Sequence, residues 1–161
     1  MTADSPTRRI VVRYDGSPAA RAALALAVDR AGDDGHIYIV LAYCLPADWV
    51  GAPSYQSLVN VELERAKSQV AQLEEESGVD LSQVDWETEL IGDRPARAIA
   101  GVAAARAADE IIIGTRGFGR ARALLGSVAH ELIHLAECPV TVIPERAVER
   151  MTEHSKALAT P

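Results

Sequence analysis

Residues 130–134, His-Glu-Leu-Ile-His, have the spacing of a zinc site, with two imidazoles one helical turn apart and a carboxylate between them. A catalytic zinc also needs a third protein ligand and an enclosed cleft. Glu137 and Val140 stand where the extended pattern of such sites requires glycine and histidine. The sequence therefore predicts an exposed histidine pair on the solvent face of a helix, at most an adventitious metal site, and no zinc protease.

A second group of residues suited to ligand binding lies between Gly114 and Ser127, where glycines and arginines are interspersed. Glycine lets a backbone approach a ligand closely, and Ser127 is placed to cap a helix whose free N–H groups favour an anion. The segment contains three arginines and no acid, in a chain of net charge −7. This pattern is typical of a phosphate cradle. The alternative is a long crossover whose arginines merely face water.

Composition excludes several classes of protein. The chain has 161 residues, of which 48% are hydrophobic, and this length is about one domain with one aliphatic core. Its negative charge argues against binding to nucleic acid or an anionic membrane, because phosphate contacts need a basic face. No apolar stretch approaches the roughly 18 residues of a membrane span, and the first apolar run is too short for a secretory signal. Cys44 and Cys138 lack metal or redox spacing. We expect a cytoplasmic protein with reduced thiols.

The elements that must position these residues alternate between strand and helix. Five apolar segments predict strands, at residues 9–14, 36–44, 84–91, 110–115 and 139–144. The first helix is expected to begin at Ser17 and Pro18, a capping residue followed by proline, and to end near Gly32. Further helices are predicted up to about Glu76, from Pro95, and from Ser127, and residues 145–161 form a polar tail.

Near-continuous apolar strands separated by helices are typical of a parallel sheet that is covered on both faces. We therefore predict a single α/β domain, an open doubly wound five-stranded sheet with its core at about residues 8–144. Ligands of such sheets bind beyond the carboxyl ends of the strands, where the strand order reverses. Three strand ends are therefore candidates: Asp15, Tyr43 with Cys44, and the segment from Gly114.

The chain resembles the universal stress protein family over about residues 8–144. The resemblance rests on Asp15-Gly16-Ser17 after the first strand, on GDRPARAI at residues 92–99, and on GTRGFGRARALLGSVAHELIHLAECPVTVIP at residues 114–144. It implies a Rossmann-like fold with strand order 3-2-1-4-5. In nucleotide-binding members of the family, ATP is held between strands one and four.

The resemblance also implies which residues would hold ATP, with or without Mg²⁺. Asp15 would meet the adenosine, and Tyr43 would flank the adenine. Ribose and phosphates would lie along the glycine loop and the start of the last helix, at Ile113, Gly114, Arg116, Gly117, Gly126, Ser127 and Val128.

The sequence departs from the family pattern in three places. Arg13, also a candidate site residue, stands where a small or apolar residue is commoner. Tyr43 replaces a small aliphatic residue and could either stack on the adenine or block it. Eight residues separate Gly117 from Gly126, where the ATP-binding pattern has nine.

Three functions remain open. The first is a cytosolic ATP-binding stress-response or regulatory protein, acting as a nucleotide-dependent homodimer through the apolar edge strand at residues 140–143. The second is a relative that binds cyclic AMP, or one that binds no nucleotide and acts through protein contacts. The third, from the enzyme class, is slow ATP hydrolysis, although the sequence contains no nucleophile turn and no Walker-type loop.

Overall fold

The computed structural model describes residues 7–43, 54–115, 125–144 and 147–151. Its strands and helices follow one another in the order β1 (Arg9–Arg13), α1 (Pro18–Ala31), β2 (His36–Ala42), α2 (Tyr55–Ala71), α3 (Leu73–Ser77), β3 (Asp85–Ile91), α4 (Pro95–Ala105), β4 (Glu110–Gly114), α5 (Ser127–Leu135) and β5 (Val140–Ile143). All five predicted strands are confirmed with shifts of one or two residues at their ends. The long helix predicted up to Glu76 is divided at Gln72 into α2 and α3.

The five strands form one parallel sheet in the order β3-β2-β1-β4-β5, which confirms the predicted topology. After β1 the chain adds β2 and β3 on one side, and it then crosses to add β4 and β5 on the other. The strand order therefore reverses between β1 and β4. In open α/β sheets this reversal marks the place where ligands bind.

The start of α1 follows from local sequence. The backbone N–H of Ala20 donates a hydrogen bond to Ser17 Oγ at 3.2 Å, and Pro18 occupies the first helical position. A side-chain cap and a preset proline φ angle both favour a helix beginning at this point. The predicted N-cap and the predicted end at Gly32 are confirmed.

Two aliphatic cores lie on opposite faces of the sheet. Alternate residues of β1 separate them: Ile10 and Val12 face α1, whereas Val11 faces α4 and α5. Alanines on the helices are buried against the strands, as at Ala23 and Ala27 of α1, both fully buried. Residues 147–151 form a further helical turn, and Ala147, Val148 and Met151 pack against the first core. The beginning of the predicted tail thus belongs to the fold.

A buried carboxylate joins the elements at the amino ends of the strands. Glu110, 5% exposed at the start of β4, accepts a hydrogen bond from Thr141 Oγ1 at 2.5 Å and pairs with Arg8 Nη2 at 3.1 Å. Arg30, at the end of α1, pairs with the same carboxylate. These contacts connect α1, β4 and β5 at the end of the sheet remote from the strand reversal. None of the helices in the described part of the chain is long and apolar enough to cross a membrane.

At the other end of the sheet, α1 packs directly on the end of β4. A Cβ atom at Gly114 would lie 2.6 Å from the Cβ of Ala19 and 3.0 Å from its carbonyl carbon. Any side chain at this position would push helix and strand apart. Close packing therefore requires glycine at position 114. This is a second reason for a glycine here, beside the close approach of a ligand that the sequence predicts.

We expect Glu110→Ala to lower the free energy of unfolding by about 2 kcal/mol, because Thr141 and Arg30 lose a charged hydrogen-bond acceptor inside the fold. Urea denaturation measures the change. Glu64, whose ion pair with Lys67 is exposed, offers the matched control: Glu64→Ala should change stability by less than about 0.5 kcal/mol. Equal effects of the two substitutions would contradict a structural role for Glu110.

We expect Gly114→Ala to destabilise the fold by about 2 kcal/mol, because the added methyl group overlaps Ala19. Gly101 of α4 is the control, since a Cβ there would meet nothing within 4 Å. Gly101→Ala should be neutral or should stabilise the protein by up to about 1 kcal/mol through helix propensity. Thermal unfolding of both variants checks the difference, and a Gly114→Ala protein as stable as Gly101→Ala would disprove the close packing.

Candidate functional site

In an open α/β sheet the ligand crevice lies outside the carboxyl ends of the two strands between which the strand order reverses, here β1 and β4. The last residues that pair between these strands are Val12 and Ile112. Each strand stays bonded to its outer neighbour beyond this point: Tyr14 N–H donates to the Val40 carbonyl of β2 at 3.0 Å, and Thr115 N–H donates to the Ile143 carbonyl of β5 at 2.9 Å. The pairing of β1 with β4 thus ends before the pairing of either strand with its outer neighbour, at the point where the strand order reverses.

One wall of the crevice is the turn from β1 into α1. Asp15 Oδ1 accepts a hydrogen bond from the Ser17 N–H at 3.1 Å, and Asp15 Oδ2 pairs with Arg13 Nη1 at 2.7 Å. Gly16 has a φ of 76°, a left-handed conformation that favours glycine. The Arg13 and Asp15 side chains are 21% and 18% exposed. Both carboxylate oxygens of Asp15 are therefore already engaged within the protein.

The opposite wall is formed by the end of β4. The Ile113 side chain is 1% exposed and belongs to the second core, so it is packed inside the fold and is not available to a ligand. Gly114 follows it and packs on Ala19. The structure thus brings three of the predicted site residues, Asp15, Ile113 and Gly114, to the same end of adjacent strands.

The start of α5 joins this wall. Gly126 N–H donates to the Thr115 carbonyl at 3.1 Å, so the chain returns after the glycine loop to the end of β4. Arg116, Gly117 and the other residues at 116–124 lie outside the described residues, and the predicted phosphate cradle stays a prediction there.

The predicted capping role of Ser127 is wrong. Gly126 is the N-cap of α5 and Ser127 is its first helical residue, because the helical hydrogen bonds begin with His130 N–H and the Gly126 carbonyl, 2.9 Å apart. The N–H groups of Ser127, Val128 and Ala129 have no partner within the helix, as in any first helical turn. They carry the positive end of the helix dipole next to the end of β4.

Tyr43 lies apart from this crevice. Its backbone N–H donates to the Ile91 carbonyl at 3.0 Å, and its ring covers Gly92, where an added Cβ would lie 2.7 Å from Cζ and Oη. Since β3 and β1 flank β2 on opposite sides, the ring leans away from Asp15. In this structure Tyr43 therefore covers the end of β3.

The histidine pair lies on the exposed side of α5. The ring centroids of His130 and His134 are 5.2 Å apart, and Glu131 accepts a hydrogen bond from Arg94 Nη2 at 3.2 Å. Within the described ranges, no three His, Cys, Asp or Glu side chains are grouped so that they could hold a metal. The hydrogen bond by which Arg94 connects the turn before α4 to α5 has no local signal in the sequence, because the two residues are 37 positions apart.

The buried face of α5 is narrower than its apolar pattern predicts. Ala129 and Leu132 are buried, but Ile133 and Leu135 are 50% and 42% exposed. Both residues lie in the apolar pattern of the helix, but they stay exposed because this short helix lies near the edge strand and only one narrow face meets the core. Two large apolar side chains of α5 therefore remain exposed.

The thiol of Cys138, between α5 and β5, shows no sign of activation. Burial raises the pKa of this thiol, and the carboxylates of Asp109 and Glu110 raise it further. A thiol with a raised pKa stays protonated at neutral pH and is a weak nucleophile. Cys44 lies outside the described residues.

Comparisons with known proteins agree with this architecture. The sequence model of the universal stress protein family matches residues 6–144. A universal stress protein of Thermus aquaticus is 34% identical over 138 residues, which are 84% of this chain and 98% of that protein. The solved structure of universal stress protein UspA from Lactobacillus plantarum is 24% identical, with a TM-score of 0.70 over 87% of this chain and 99% of that one.

A universal stress protein solved in complex with cAMP is 25% identical, with a TM-score of 0.54 over 87% of this chain and 98% of that one. The segment matched by the family model includes all five strands and the helices between them. The chain therefore belongs to the universal stress protein family.

Proposed function

We propose that this protein binds an adenine nucleotide, ATP, in the crevice between β1 and β4, and acts in the cytoplasm as a stress-response regulator. The observation that carries the proposal is that β1 and β4, the strands between which the strand order reverses, cease to pair beyond Val12 and Ile112. Ligands of doubly wound sheets occupy this position. Family membership and the relative that was solved with cAMP support the choice of an adenine nucleotide.

The phosphates would lie at the first turn of α5. The N–H groups of Ser127 and Val128 are free of helical partners, and the helix dipole favours negative charge at this end. Ser127 is exposed, and the hydrogen bond from Gly126 to Thr115 holds the turn beside the end of β4. Because Asp15 already pairs with Arg13, a Mg²⁺ ion accompanying ATP would be held by phosphate oxygens and water.

A homodimer through β5 would place a second copy on the free edge of the sheet. β5 is an edge strand, and the exposed Ile133 and Leu135 of α5 lie close to it in the chain. Unpaired edges of this kind favour pairing with another strand.

Two backbone hydrogen bonds would couple nucleotide and dimer. Gly126 N–H donates to the Thr115 carbonyl, and Thr115 N–H donates to the Ile143 carbonyl at the end of β5. A ligand that draws the first turn of α5 toward itself would therefore act on the edge strand through one intervening residue. This link supports a dimer whose stability depends on the bound nucleotide.

We expect Ser127→Pro to weaken ATP binding about tenfold, because proline removes a charge-assisted N–H donor. Proline suits the first position of a helix, and Gly126 already has the extended conformation that precedes proline, so the fold should persist. Ser127→Ala, which keeps the N–H and loses only the hydroxyl, is the control and should bind ATP more tightly than Ser127→Pro. Isothermal titration calorimetry with ATP, ADP and cyclic AMP measures the affinities.

Failure of every nucleotide to bind the unmodified protein at millimolar concentration would overturn the proposed function. Tighter binding of cyclic AMP than of ATP would favour the second function, a cyclic-nucleotide relative. This alternative draws its support from the solved relative in complex with cAMP.

We expect Val142→Pro to abolish the dimer. Alternate residues of a strand direct their peptide groups to opposite sides. The carbonyls of Pro139 and Ile143 accept hydrogen bonds from β4, so Val142, an odd number of residues from both, directs its N–H to the free edge. Proline there removes an edge donor without removing a bond to β4. Val142→Ala shortens the same side chain and keeps the N–H, so it should remain dimeric. Analytical ultracentrifugation with and without ATP tests this, and a monomeric unmodified protein under both conditions would refute the dimer.

A further inference from the structure

The ion pair at the end of β1 is the feature of the crevice that the family pattern does not explain. Arg13 is the last residue of β1, and its Nη1 atom lies 2.7 Å from Asp15 Oδ2. The two side chains are about four-fifths buried. Partly buried ion pairs are screened by salt far less than exposed pairs are. The pair is therefore a persistent part of this wall.

These contacts engage both carboxylate oxygens of Asp15. One oxygen accepts the N–H of Ser17 and so holds the turn into α1, and the other faces the guanidinium of Arg13. An amino group of a bound base would have to compete with Arg13 for this carboxylate, and a neutral donor is the weaker partner. The Asp15 carboxylate therefore contributes little to recognition of the base.

Arg13 also changes the charge that a nucleotide meets. A carboxylate without a partner would repel a triphosphate, whereas the pair is neutral in sum. Arginine has five N–H donors, and among the described residues Asp15 is the one ion-pair partner of this guanidinium. The remaining donors are suited to phosphate oxygens.

We propose that Arg13 determines the specificity of the site: by pairing with Asp15 it makes the crevice select nucleotides by their phosphates and tolerate changes at the 6-position of the purine. The ligand class is then purine nucleoside triphosphates in general. This inference rests on the proposed function, since it concerns the same crevice.

The test compares ATP with purine riboside 5′-triphosphate, which has the same ribose and phosphates but no 6-amino group. Calorimetry on the unmodified protein should give dissociation constants within about threefold of each other, because no hydrogen bond to the amino group is lost. Arg13→Leu frees Asp15 and should raise the preference for ATP to about tenfold, the effect of one hydrogen bond to a charged acceptor. The ratio is diagnostic because repulsion between Asp15 and the triphosphate weakens both ligands alike.

Arg65, an exposed residue of α2, supplies the control for the loss of one positive charge. Arg65→Leu should keep the ratio of the unmodified protein. A tenfold preference of the unmodified protein for ATP would overturn the inference while leaving the proposed function intact. This measurement needs no variant, so it tests the inference even if Arg13→Leu does not fold. An unchanged ratio in folded Arg13→Leu would overturn it as well. If neither triphosphate binds, the proposed function falls and the inference falls with it.

Discussion

The site depends on where the pairing between the two central parallel strands, β1 and β4, ends. β1 and β4 pair from Ile10 to Val12 and from Glu110 to Ile112, and the next backbone hydrogen bonds run outward, to β2 on one side and to β5 on the other. The pairing of β1 with β4 ends before either strand leaves its outer neighbour, and the crevice lies beyond this point. The helices that follow the two strands, α1 and α5, cover opposite faces, so their first turns border the crevice from both sides.

The two ends of the sheet carry different charged and polar groups. At the amino ends, Glu110 is buried and surrounded by Arg8, Arg30 and Thr141, an arrangement that joins α1 to β4 and β5. At the carboxyl ends, Arg13 and Asp15 form a neutral pair, and the first turn of α5 presents unpaired N–H groups. A chain of net charge −7 thus places the positive ends of backbone dipoles where a phosphate could be bound. The ion pairs around Glu110 and the proposed recognition groups thus lie at opposite ends of the sheet.

Local and periodic signals predicted much of this architecture. The strands are predictable because buried parallel strands are almost continuously apolar, and the start of α1 is predictable because Ser17 and Pro18 act within one turn. The predicted start of α5 differs from the structure by one residue, since Gly126 and Ser127 both suit an N-cap. The break at Gln72, the direction of the Tyr43 ring and the contacts of Glu110 depend on tertiary packing, and one of those contacts joins residues 102 positions apart. The Arg13–Asp15 pair spans only two residues, but its geometry depends on the turn into α1.

The most direct test of the central claim is a crystal structure of the protein grown with ATP. The account predicts a nucleotide between the ends of β1 and β4, with phosphate oxygens about 3 Å from the N–H groups of Ser127 and Val128. It also predicts that the ion pair between Arg13 and Asp15 remains intact beside the nucleoside. A nucleotide bound on another surface, or an empty crevice at saturating ATP, would contradict the account.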